Sequence, residues 1–175
     1  MALRPKDPLL AAARVLLLIA MAAMAMACLA TLVAAPALVI FQSHVLAELA
    51  SNAVPSEALW ALVLVVLLVA VITALGFLFF RHMHRMVGTV GQGDPFIPDN
   101  ARRLNAMGWI VVAVQGLCIP LVAVLRWLER MTEKIHSGAD SSLDLEAILL
   151  ALILFILARV FREGTRLRDE VEGTV

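Results

Sequence analysis

The sequence predicts an all-α integral membrane protein, a bundle of four transmembrane helices with both termini in the cytoplasm. Three observations lead there. Of 175 residues, 62% are apolar and 16% charged, against about 45–50% and about 25% in soluble domains. Four stretches approach the roughly 20 apolar residues that cross about 30 Å of hydrocarbon. The basic residues then gather on one side of those stretches. The same composition excludes a disordered chain, a nucleic-acid-binding domain and a disulfide scaffold. Spans are expected at about 15–41, 58–80, 106–127 and 143–161, with a cytoplasmic loop at 81–105 and a cytoplasmic tail at 162–175.

The first span carries no charge between Val15 and Phe41, with Pro36 near its far end. Arg4, Lys6 and Arg14 before it and Ala34-Ala35 within it resemble signal-peptide features. Signal h-regions run about 7–15 residues, however, so this longer run reads as a retained span. The second, Ala58 to Phe80, is also uncharged, and the third is interrupted only by Gln115 and Pro120. The fourth is the weakest: its uncharged centre, Ala147 to Ala158, is 12 residues long, between Asp144 and Glu146 on one side and Arg159 on the other. Its place beside three clear spans makes it the fourth.

Orientation follows from Lys and Arg. Arg4, Lys6, Arg14, Arg81, Arg85, Arg102, Arg103, Arg159, Arg162, Arg166 and Arg168 fall on one side, and Arg126, Arg130 and Lys134 on the other. Eleven against three puts both termini inside. Acidic residues divide evenly, so the net charge of zero resolves into an inner face of about +4 and an outer face of about −4. Trp60, Trp109 and Trp127 fall at span ends, where indole rings anchor.

The connections are read as follows. Gln42 to Glu57 is a short outer loop containing Pro55. The alternating charges from Arg126 to Lys134 suggest extra helical turns ended by Gly138, after which Ser141-Ser142-Leu143-Asp144 caps the fourth span. On the inner side, Val87 to Pro95 is a turn-rich linker, and Asp99 or Asn100 caps the helix carrying Arg102, Arg103 and Leu104. Arg81, Arg85, Arg102 and Arg103 then face anionic headgroups, at about 1 kcal/mol each. Ala23 with Ala27, Ala30 with Ala34, and Gly108 and Gly116 suit close helix packing.

Little in the chain carries chemistry. An ionisable group at mid-membrane is a functional signal, and the spans hold none near their centres. That argues against a proton-coupled transporter, a pump or an intramembrane protease. Gln115, the one mid-membrane amide, reads as an interhelical hydrogen-bond partner or as a group lining a transport path. His82 and His84, near Met83 and Met86, are soft metal ligands. Two residues apart on a helix they point to different faces, so no metal or other cofactor is expected. Cys28 and Cys118 lie within spans, which suits neither a disulfide nor a nucleophile. Gly91-Gln92-Gly93 lacks the Lys-Ser/Thr of a phosphate loop. The chain reads as non-enzymatic.

The tail from Ala158 to Glu170 continues helically, with Arg159, Arg162 and Arg166 on one face and Arg159–Glu163 as an i, i+4 pair. It reads either as a snorkelling, solvated helix end or as a docking surface shared with Phe96 to Leu104.

These two inner segments carry a resemblance. Gly93-Asp94-Pro95-Phe96-Ile97-Pro98-Asp99-Asn100-Ala101-Arg102-Arg103-Leu104 before the third span, and Val160-Phe161-Arg162-Glu163-Gly164 leading to Thr174-Val175, resemble the bacterial domain of unknown function 2975 family. Members typically end in an acidic residue and Leu-Thr-Val; here Gly173 stands in place of Leu. The family brings no established activity. Its members are often encoded beside a small helix-turn-helix regulator, which implies a membrane partner for a DNA-binding protein. The expected function is therefore a bacterial inner-membrane protein that docks or regulates such a regulator through its inner face. The candidate motif is Asp94, Pro95, Phe96, Asn100, Arg102, Arg103, Leu104, Phe161, Arg162, Glu163 and Gly164. The rival expectation is a component of small-molecule or ion transport using Gln115. A homo-oligomer fits either, and no direct nucleic-acid contact is expected.

Overall fold

A computed structural model of the chain describes residues 8–51, 54–91, 93–131 and 144–172. The described residues form five α-helices and no strand: α1 (Pro8–Ile40), α2 (Gln42–Ser51), α3 (Ala58–Gly91), α4 (Pro98–Met131) and α5 (Leu145–Glu172). The fold is all-helical.

Helices α1, α3 and α4 have 33, 34 and 34 residues and are long and apolar enough to cross a membrane. At about 1.5 Å per residue each runs about 50 Å, well beyond the hydrocarbon thickness. Their apolar side chains are turned outward: Leu16, Leu29, Val33, Leu67, Val71 and Ile119 are all exposed. Water makes such a surface costly, and a lipid surround does not. Pro36 and Pro120 lie inside α1 and α4 without ending them, as membrane helices allow.

Two connections differ from the sequence expectation. The segment beginning at Gln42 is not plain loop, because Val45, Leu46 and Leu49 sit on one side of α2 and are half-buried. The 81–105 segment is mostly helix, with α3 running to Gly91 and α4 starting at Pro98. Gly88 and Gly91 cost a helix about 1 kcal/mol each, and Met86 packing on the core holds the last turns in place. The start of α5 falls where the capping segment is expected. Asp144 Oδ1 accepts from the Glu146 backbone N–H at 3.1 Å, so Asp144 provides the cap; Ser141, Ser142, Leu143, Lys134 and Gly138 lie outside the described residues, as do Arg4, Lys6 and residues 173–175.

The chain divides into two compact units. One comprises the described residues of Met1–Ala23, Gly76–Ala113 and Asp144–Val175. Its core is Leu104 and Met107 of α4 with Leu154 and Ala158 of α5, flanked by Phe79, Met86, Val111 and Phe161. Buried residues on α5 recur at Ala151, Leu154, Ala158 and Thr165, a single helical face. Gly108 makes the α4–α5 approach possible: a Cβ there falls 2.7 Å from the Phe155 ring. Trp109 meets the same ring edge-on at 5.6 Å.

The other unit comprises Met24–Leu75 and the described residues of Val114–Leu143. Its core is Val54, Ala58 and Leu128, flanked by Leu49, Leu62, Val65, Val124 and Trp127. Cys28 Sγ donates to the Ala70 carbonyl at 3.7 Å. Thr31 and Thr73 return their hydroxyls to carbonyls of their own helices. Small residues here do less than their spacing suggests. Ala30 is exposed, and a Cβ on Gly116 meets nothing within 4 Å.

Candidate functional site

The candidate motif assembles from the end of α3 upward. Gly93, with φ of 87°, occupies the left-handed region that residues with a Cβ rarely adopt. Its N–H donates to the Val90 carbonyl at 3.0 Å, and the Asp94 N–H donates to the Thr89 carbonyl at 3.3 Å. These paired bonds are a Schellman ending, which satisfies the last carbonyls of α3 and turns the chain. Arg14 of α1 lies against that same end: a Cβ on Gly91 falls 2.6 Å from its Nη2. A guanidinium beside a helix C-terminus is favourably placed against the helix dipole.

Helix α4 starts without the expected cap. Pro98 takes the first helical position, where its missing N–H is harmless. Asp99 follows in the first turn, where a carboxylate suits the dipole. Asn100 therefore comes too late to cap, and its side chain turns inward to 0% exposure. Its Nδ2 donates to Thr89 Oγ1 at 2.7 Å and to the Pro95 carbonyl at 2.8 Å. Its Oδ1 accepts from Arg103 Nη1 at 2.9 Å. Thr89 Oγ1 passes its own proton to the Met86 carbonyl at 2.8 Å. One amide thus ties the last turn of α3, the turn itself and the first turn of α4. Each lost bond to a buried partner would cost about 1–3 kcal/mol.

The turn is then fastened to α5. Phe96 stacks on Phe161 with centroids 5.2 Å apart and planes tilted by 36°. It also covers Gly164, where a Cβ would fall 2.8 Å from its ring. Asp94 and Arg168 form an ion pair between half-exposed groups. Leu104 continues α4 into the core shared with Leu154 and Ala158. The two segments of the motif are therefore in direct contact.

What remains on the outside is charge. The Arg102 side chain is 83% exposed and lies 3.9 Å from Asp99, which also sits 3.7 Å from Arg103. On α5, Arg166 binds Glu163 at 2.6 Å and lies 3.7 Å from Glu170. Glu163 thus engages Arg166 rather than the expected Arg159. Arg159 and Arg162 are exposed beside them. Around the turn and α5 the displayed groups thus form a surface of mixed charge.

Other candidates lie apart. Gln115 is half-buried on α4 and belongs to the second unit. His82 has Arg81, Arg85 and Arg103 as its charged neighbours, a setting that repels a metal dication. Among the described residues no three His, Cys, Asp or Glu side chains gather as metal ligands. Two residues of the site escaped sequence reasoning. Thr89 looked like linker, and Thr165, buried with its hydroxyl on the Phe161 carbonyl at 2.9 Å, looked like tail. The periodicity of Ala151, Leu154, Ala158 and Phe161 points to Thr165 when carried one turn further.

No curated protein and no solved structure matches the chain. One family profile does, over residues 45–175, which takes in all of the motif described above. The chain belongs to the family described as protein of unknown function (DUF2975).

Proposed function

We propose that the chain is a non-enzymatic, four-span protein of the bacterial inner membrane, with both termini cytoplasmic, whose Asp94–Leu104 and α5 segments dock a cytosolic helix-turn-helix regulator. In this reading α5 is the fourth span. Its support is the exposure of apolar residues around the helix: Leu145, Ile148, Leu149, Leu152, Ile153, Ile156 and Val160. A lipid surround makes that pattern inexpensive. The orientation rests on the excess of Lys and Arg on one side, with Arg81 and Arg85 placed to meet anionic headgroups.

The observation that carries the docking role is the division of labour within the motif. Asn100 is spent on bracing the α3–α4 turn, and Phe96, Phe161, Asp94 and Arg168 on holding that turn to α5. Arg102, Asp99, Glu163 and Arg166 are left displayed. A surface held rigid before binding loses less entropy on association. The test is co-purification from detergent with the regulator encoded beside the chain. Retention by the wild-type chain and loss in Arg102→Glu and Glu163→Lys is expected; no retention by the wild type overturns the reading.

A further inference from the structure

Helix α5 carries a second ordered face whose apolar side chains are exposed. Its intramolecular face runs through Ala151, Leu154, Ala158, Phe161 and Thr165. Roughly 100° further round lies another stripe: Leu150, Ile153, Leu157, Val160, Gly164, Leu167 and Val171. The spacing is 3, 4, 3, 4, 3, 4 without a break, the repeat of a coiled-coil seam. All six residues that have side chains here are exposed. Gly164 leaves the one gap, and the Phe96 ring, itself 41% exposed, fills it.

Within a bilayer such exposure is ordinary, because lipid covers it. The stripe does not stop there. From Arg159 to Glu170 the helix carries Arg159, Arg162, Glu163, Arg166, Arg168, Asp169 and Glu170, a density no hydrocarbon accepts. In that charged stretch Leu167 is 52% and Val171 67% exposed, still in register with the membrane half. Two apolar residues facing water in an unbroken heptad call for a protein partner with the same repeat.

The charges flanking the seam identify it. With Leu150, Leu157, Gly164 and Val171 at a and Ile153, Val160 and Leu167 at d, Glu163 falls at g and Arg168 at e. In a parallel pair, g meets e of the following heptad on the other helix. Glu163 of one copy would face Arg168 of the other, and the reverse, so the seam is complementary to itself. Copies in one membrane share an orientation, which makes the pairing parallel. Arg168 already holds Asp94, and a guanidinium has five donors to share. We infer that α5 is the dimer interface of this protein, pairing in parallel with α5 of a second copy along the Leu150–Val171 seam. The inference stands on α5 crossing the membrane and not on the docking of a regulator.

The experiment is thiol cross-linking of the full chain in isolated membranes, in a Cys28→Ser, Cys118→Ser background. Leu167→Cys and Val171→Cys should each give a covalent homodimer with a short bismaleimide. Arg162→Cys, on the far side of the helix, should not. Leu167→Asp alters an exposed residue and should leave helix content and monodispersity intact. It should weaken self-association in bilayers, read by energy transfer on dilution, by about tenfold or more. Glu163→Arg and Arg168→Glu should each weaken it as well, and mixing the two variants should restore pairing. Absence of a dimer from both seam cysteines, or equal cross-linking at Arg162→Cys, overturns the inference, as does a product containing only another protein or lipid.

Discussion

Asn100 Nδ2 donates to Thr89 Oγ1 across 2.7 Å, joining the first turn of α4 to the last turn of α3 through a side chain with no exposed surface. The same amide binds Pro95 and Arg103, so one side chain braces the turn from within. Asn100→Asp keeps the shape but places a carboxylate against the Pro95 carbonyl, losing two donors. Destabilisation by about 2–4 kcal/mol is expected, read as a lower Tm in detergent. A Tm unchanged from wild type would show that the turn is held by other contacts.

Two glycines distinguish close packing from open surface. Gly164→Ala drives a Cβ to 2.8 Å from Phe96 and should cost about 1–3 kcal/mol. Gly116→Ala meets nothing within 4 Å and should be neutral or stabilise α4 by up to about 1 kcal/mol. Thermal unfolding of the two variants side by side measures the contrast.

The Asp94–Arg168 pair joins the turn to α5 between half-exposed groups. Solvent screening limits its expected coupling to about 0.2–1 kcal/mol. A double-mutant cycle with Asp94→Asn and Arg168→Gln measures it, and the coupling should shrink further as salt is raised. A coupling of several kcal/mol would mean the pair is far less hydrated than its exposure indicates.

Sidedness is checked by reporter fusions after Gly138 and Val175. A cytoplasm-active reporter should work at Val175 and a periplasm-active one at Gly138. The opposite result would invert the orientation drawn from Lys and Arg.

The long helices were legible because length and composition alone specify them: the run from Ala58 to Phe80 has no other reading. The heart of the motif was less so. Asp94 to Leu104 stood out, but Asn100 resembled a helix cap, since residue type does not distinguish a cap from a buried tie. Pro98, by taking the first helical position, decides between them. Thr89 was hidden for a related reason, because its partner lies eleven residues on, across a turn that only Gly93's positive φ closes. Glu163 was paired with Arg159 by spacing, whereas the rotamers bring it to Arg166. Spacing names the neighbours of a charged side chain and leaves the choice among them to local geometry.

The most direct measurement is equilibrium binding of the purified, adjacently encoded regulator to the full chain held in nanodiscs, with Arg102→Glu as the comparison. The account predicts saturable binding by the wild-type chain, weakened about tenfold or more when the displayed charge is reversed. An absence of binding, or equal binding by both chains, would contradict it.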